Sequence, residues 1–134
     1  MLKGEICLLR AGLHPSGVMF DEEALRRCVP PPGMPIENWD PNDDPFAAPP
    51  GATPPFAGVV LSSTIRDGAL YATIKWGGPA EPKANWIVPD ILLGLDNRPA
   101  RTLAIRTTDK PLVPGIGMIR DESEPAAQAS KSAV

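Results

Sequence analysis

Apolar and polar positions alternate most cleanly between residues 58 and 76. Val59, Val60 and Leu61 open a strand running from Gly58 to Ile65. Arg66-Asp67-Gly68 follows as a tight turn, because Asp-Gly tolerates the positive φ that a two-residue hairpin loop demands. From Ala69 to Trp76, Leu70, Ala72 and Ile74 fall on one face and Tyr71, Thr73 and Lys75 on the other. That is the period of two expected of a half-buried strand. Gly77-Gly78-Pro79 ends it.

The same pattern predicts further elements. Gly4 to Arg10 reads as a strand carrying Ile6, Leu8 and Leu9, and Gly12 to Gly17 as a turn. Val18 to Phe20 is a short strand leading to Asp21, a helix N-cap. Glu22 and Glu23 in the first turn, and Arg26 and Arg27 near the end, match the helix dipole over about two turns. Trp86 to Leu95 is apolar but interrupted by Pro89, which is expected to open a short helix. Asn97 and Pro99 close it. Arg101 to Thr107 alternates again, with Leu103 and Ile105 inward, and Val113 to Ile119 is a last, glycine-broken strand.

Proline changes this picture. The chain has 18 in 134 residues, against a usual share of about 5%. Ten fall between residues 29 and 55, where polyproline II is the natural conformation. Met34, Ile36, Trp39 and Phe46 give this stretch anchors that a disordered linker lacks. It reads as an extended arm lying on a surface, with its own domain favoured over a neighbour. The fold class is therefore β-rich α+β. Residues 1–120 form a single domain of mainly antiparallel strands with one or two short helices. It includes the Pro-rich arm at 29–55, and residues 121–134, rich in Ser, Ala and Glu, form a disordered tail.

The net charge of −3 provides no general pull toward nucleic acid. Locally, Glu37, Asp40, Asp43 and Asp44 are acidic, and Arg98, Arg101, Arg106 and Lys110 are basic. Cys7 and Cys28 are too few for a disulfide scaffold and read as buried free thiols of a reducing compartment. No stretch approaches the roughly 20 apolar residues of a membrane span, and no signal peptide is evident.

Catalytic parts are sparse. His14 is the single histidine, with Ser16 as its nearest serine. No Cys-x-x-Cys, Gly-x-Gly-x-x-Gly, P-loop or calcium-loop pattern is present. No cofactor and no metal are expected.

Two stretches carry a family resemblance. One runs from Ile6-Cys7-Leu8-Leu9-Arg10-Ala11-Gly12 through Val18-Met19-Phe20-Asp21-Glu22-Glu23-Ala24-Leu25. The other is Gly58-Val59-Val60 with Asp67-Gly68-Ala69-Leu70-Tyr71-Ala72 and Trp76. In order and spacing over residues 4 to 107 they resemble the Mu-like bacteriophage prohead (capsid maturation) proteases. The resemblance implies a serine protease fold with a histidine just before the Gly-x-Val strand and a serine in a strand reading roughly Arg-Tyr-Leu-Ser. Here those places read Pro54-Pro55-Phe56-Ala57-Gly58 and Arg101-Thr102-Leu103-Ala104. It therefore implies a relative without catalysis, and the chain is expected not to be an enzyme.

The expected role is a capsid decoration (cement) or other minor virion protein. It would bind the major capsid protein, oligomerise at a symmetry axis, and assemble into virions in the host cytoplasm without touching nucleic acid. Trp39 and Phe46 in the arm, with Arg98, Arg101 and Arg106, are the candidate partner-binding residues. Trp76 and Trp86 are assigned to the core. The alternatives are an active serine hydrolase or prohead protease using His14 with Ser16, Ser62 or Ser63, and a scaffold or tail-associated adaptor.

Overall fold

The chain opens with β1 (Glu5–Arg10), β2 (Gly12–Leu13), β3 (Met19–Phe20), α1 (Glu22–Arg27) and β4 (Pro35–Glu37). It continues with β5 (Phe56–Arg66), β6 (Ala69–Trp76), β7 (Trp86–Leu93) and β8 (Pro99–Thr108). The computed structural model describes residues 2–38, 56–77, 81–82, 84–110, 113 and 115–120. Trp39, Phe46, most of the arm and residues 121–134 lie outside these.

Six strands form one curled sheet in the order β1-β6-β5-β4-β8-β7, and β2 and β3 make a separate ribbon. All pairs in the sheet are antiparallel except β4 with β8. The β5–β6 turn has Asp67 at φ 51° and Gly68 at φ 71°, the two positive values a type I′ turn requires. Leu70, Ala72 and Ile74 are buried and Lys75 is exposed, as the alternation predicts.

Each of the six strands sends a side chain into one core. Ile6, Ile36, Val60, Leu70, Ile87 and Ile105 are at most 2% exposed, and Leu25 of α1 joins them. With few aromatics available, aliphatic side chains fill this space, and Phe20 is the buried phenylalanine among the described residues.

Asp21 caps α1 by accepting from the Ala24 N–H at 2.8 Å, a bond worth about 1 kcal/mol at an N-cap. The pairs Glu22–Arg26 and Glu23–Arg27 are exposed and add a few tenths of a kcal/mol each. The helix packs against β8, β3 and β6. Its C-cap is tied to the sheet by Thr102, whose Oγ1 donates to the Cys28 carbonyl at 2.5 Å.

The two sheet edges are joined. Gly117 N–H donates to the Cys7 carbonyl of β1 at 2.9 Å, and its own carbonyl accepts from Ile87 N–H of β7 at 2.8 Å. Ile119 bridges the same gap with the opposite polarity, its carbonyl accepting from Lys3 N–H at 2.8 Å and its N–H donating to the Asn85 carbonyl at 3.1 Å. Residues 117–120 thus stand between β1 and β7 as an irregular seventh member of a closed barrel. The expected strand from Val113 to Ile119 is absent as such. Gly115 and Gly117 have φ of 88° and 79°, which extended backbone does not accommodate, and only isolated bridges remain.

Four other expectations are corrected. Trp86–Leu93 is strand β7 and no helix opens at Pro89. Ile87 N–H points off the sheet to Gly117, and Pro89, two residues on, shares that side, where no β8 carbonyl needs a donor. Leu103 is 49% exposed and Thr102 is buried. Asp90 pairs with Ala104 and Ile91 with Thr102, so Leu103 is an extra residue that inverts the alternation. Gly12 and Leu13 belong to a strand pair with Met19 and Phe20 rather than to the turn. Finally, residues 35–37 of the arm are a central strand between β5 and β8. Pro35 tolerates this position because it begins the strand.

Candidate functional site

Register places an unbroken row across the outside of the sheet. Ile36 pairs with Ile105, and both are fully buried. Their chain neighbours Pro35 and Ala104 therefore face outward. Pro35 pairs with Val59, and Val59 with Lys75. Ala104, Pro35, Val59 and Lys75 thus form a shallow floor spanning β8, β4, β5 and β6.

Two hollows of about 390 and 520 Å³ meet on this floor and share Gly33 and Pro35. Pro31, Pro32, Met34 and Leu103 border the first. Phe56, Val59, Lys75 and Trp76 border the second. Together they make one open, mostly apolar trough. Phe56 is 46% exposed because Glu37 pairs with Phe56 directly after Ile36 pairs with Gly58, leaving Ala57 as a bulge.

Trp76 is held rigidly. Its Nε1–H donates to the Lys3 carbonyl at 2.6 Å. Its ring lies against Gly58, where a Cβ would come within 3.2 Å of Cε3 and 2.6 Å of the Lys75 carbonyl. Trp76 packs on the core, as the sequence suggests, and still shows part of its surface to the trough.

The candidate arginines are separated. Arg101 and Arg106 are exposed on the outer side of β8, next to buried Thr102 and Ile105. Arg106 pairs with Asp90 at 3.4 Å and neighbours Glu37 in register. Arg98 lies in the β7–β8 turn, 3.8 Å from Asp96. It borders a separate polar hollow of about 300 Å³ beside α1. Arg101 and Lys75 have no ion pair among the described residues.

His14 and Ser16 are brought together. Ser16 Oγ lies 2.9 Å from His14 Nδ1, and the Ser16 backbone N–H donates to the same nitrogen at 3.2 Å. A nitrogen that accepts a backbone N–H is unprotonated, so the ring proton sits on Nε2. Nε2 is enclosed without a partner, beside the Phe20 ring at 5.8 Å. Burial pushes the His14 pKa below its ordinary value. The contact spans two residues of one turn, and no carboxylate among the described residues orients the ring as catalysis by a serine–histidine pair requires. Ser62 is exposed on β5, while Ser63 is half-buried with an unpartnered Oγ.

Cys28 is buried and free, and burial pushes its thiol pKa up to about 11. Cys7 is only half-buried, because its side chain lies on the outer side of β1 between Ile6 and Leu8. Among the described residues no group of three His, Cys, Asp or Glu is placed to hold a metal ion, and no helix is long and apolar enough to cross a membrane.

The trough itself was not legible in the sequence beforehand. Its floor depends on which strands are neighbours, and β4 pairing with β8 leaves no local trace. The one available signal is Pro31-Pro32-Gly33-Met34-Pro35, where Gly33 at φ 90° turns the chain back onto the sheet. Comparison with family models, curated proteins and solved structures gives no match.

Proposed function

We propose that this chain is a non-catalytic phage virion protein, a capsid decoration (cement) protein or similar minor component, whose partner is the major capsid protein. One observation carries the reading. The stretch where the resemblance expects a histidine, Pro54-Pro55-Phe56-Ala57-Gly58, and the place where it expects a serine, Ala104, hold neither residue; Phe56 borders one of the two neighbouring hollows and Ala104 the other. Neither side chain moves a proton or attacks a carbonyl. What remains is a rigid apolar surface suited to holding an extended chain. Exposed Leu92, Leu93 and Leu95 on the β7–β8 hairpin support self-association, and Arg98, Arg101 and Arg106 supply cationic contacts toward acidic capsid surface.

The test is co-expression with the major capsid protein and sedimentation of the resulting shells. Co-sedimentation at a fixed ratio, and presence in purified virions, is the expected result. A chain that remains in the supernatant and is missing from particles overturns the proposal. Presence in immature shells alone supports a scaffold in its place.

A serine hydrolase is the second reading, favoured by the 2.9 Å contact of Ser16 with His14. Two donors share one His14 nitrogen while the other has no orienting group, so a local turn contact accounts for it better.

A further inference from the structure

The β2–β3 ribbon is the least secured element beside the barrel. It pairs only Gly12 with Phe20 and Leu13 with Met19, and a two-stranded ribbon has little stability of its own. Gly12, Leu13, Pro15, Ser16, Gly17 and Met19 are exposed, and His14 is half-buried among them. Two backbone bonds close the turn. Gly17 N–H donates to the His14 carbonyl and His14 N–H to the Val18 carbonyl, both at 2.8 Å. A side chain adds the third closure, because the Ser16 N–H donates to His14 Nδ1 at 3.2 Å.

We infer that His14 is an acid-released latch: a proton on its ring opens the turn over residues 12–17 and leaves the barrel and α1 folded. Nδ1 accepts the Ser16 N–H only while it carries no proton. A proton there sets donor against donor. Ser16 Oγ, 2.9 Å away, can rotate to accept from the charged ring, but the Ser16 N–H has no such freedom. The other nitrogen brings no relief. Nε2 is enclosed without a hydrogen-bond partner, and the Phe20 ring is tilted against the imidazole at 5.8 Å. The charged ring is thus desolvated at one nitrogen and repelled at the other. It reaches water only by swinging off Phe20, and the Ser16 contact is lost with it.

No neighbouring charge offsets this. β3 brings Met19 and Phe20, which are neutral. On α1, which packs on β3, Glu22 and Glu23 are paired with Arg26 and Arg27, and Asp21 accepts from the Ala24 N–H. β1 ends in exposed Arg10, itself a cation. The bond from Ala11 N–H to the Gly68 carbonyl brings up the β5–β6 turn, where Asp67 acts on Arg66. None of these groups forms an ion pair with His14 among the described residues. Burial is the cause of its lowered pKa, so the closed turn takes up a proton less readily than the open one, and falling pH favours opening.

The opening stops at β3. Phe20 is 4% exposed within the core, and Asp21 is fixed as the cap of α1. Gly17 borders the polar hollow of about 300 Å³ beside α1, so the open turn enlarges that hollow without unmaking its far side.

The experiment uses the full chain, labelled with nitrogen-15 and taken from about pH 7.5 into acid, with NMR following the His14 ring and backbone order parameters. Those of Ser16 and Gly17 are expected to fall from about 0.85 to below about 0.6, with a midpoint at the pKa of the ring itself. Val60 and Ile74, whose amides donate to Met34 and Gly4, stay rigid through that step. In His14→Gln, checked for folding by its unfolding midpoint, the order of Gly17 does not change over the same range. If that variant does not fold, the contrast between Gly17 and Val60 in the native chain decides alone. A turn that remains rigid once the ring is charged overturns the inference. So does a ring that stays neutral until the barrel unfolds, loss of order at Gly17, Val60 and Ile74 together, or an unaltered acid response in folded His14→Gln.

Discussion

A Cβ on Gly117 would stand 2.4 Å from the carbonyl oxygen of Ile87. The approach is this close because Gly117 bonds to both edges of the sheet at once, to Cys7 and to Ile87. At φ 79° its backbone also lies where L side chains are disfavoured. Gly117→Ala is expected to cost about 2 kcal/mol or more, from the left-handed conformation and the clash together. Gly115→Ala has a similar φ of 88° but meets nothing within 4 Å, so it costs only the conformational part, about 1 kcal/mol. Urea unfolding of both variants separates the two contributions, and equal losses would remove the special role of the Ile87 contact.

Thr102→Val keeps the shape of a buried side chain and deletes its bond to the Cys28 carbonyl. The carbonyl then lacks the hydroxyl that ties the helix end to β8. A loss of about 1–3 kcal/mol is expected, with Thr102→Ser recovering most of it. A shift below about 0.5 kcal/mol in denaturant unfolding would mean that water replaces the hydroxyl.

His14 gives stability a dependence on acid. Its folded pKa lies below the ordinary value because burial disfavours the charged ring. The unfolded chain thus takes up the proton more readily. The contribution is complete above about pH 6.5 and is lost as pH falls through the folded pKa. The unfolding midpoint should decline as pH falls below about 6.5, and His14→Gln should flatten that decline. Titration of the His14 ring by NMR measures the folded pKa directly.

Cys28 should be inert toward thiol reagents. With its pKa at about 11 and its side chain buried, almost none of it is thiolate at pH 8. Half-buried Cys7 should label first, and Cys28 only at the rate of unfolding. Equal labelling of both in the native protein would contradict the packing of α1 on the sheet. As pH rises from about 9 toward about 11, stability from the buried neutral thiol is progressively lost.

A fluorophosphonate probe is expected to leave Ser16, Ser62 and Ser63 unmodified. Labelling that disappears in His14→Ala would replace the binding role with hydrolysis, and mass spectrometry of the adduct would locate the serine.

The β5–β6 hairpin and the start of α1 were readable from the sequence because the information is local. Asp67-Gly68 sets a turn type, and Asp21 caps its own helix. Three other features depend on distant partners. Leu103 was expected inside, yet the bulge that expels it is defined only against Asp90 and Ile91. Pro89 carries a helix-start signal that is overridden by its place in β7, where its missing N–H falls on the edge away from β8. Residues 35–37 read as part of an arm because a three-residue strand has too few positions to show a period. The trough inherits this, since its floor joins residues from four strands. Of the candidate partner residues, Arg101 is exposed on β8 but lines neither hollow, Arg106 is neutralised by Asp90, and Arg98 faces a different hollow. Trp39 and Phe46 lie outside the described residues.

The tie made by Gly117 also orders events during synthesis. β1 is complete once Arg10 has been made, but its outer edge finds its partner only with residues 117–120. At roughly 5–20 residues per second, a nascent chain carries that edge for on the order of 5–20 s, and β7 shares the wait more briefly. Unpaired edges of this kind recruit other chains. Slowing translation ahead of residue 115 should therefore raise the aggregated fraction of newly made protein without altering the stability of molecules that have folded.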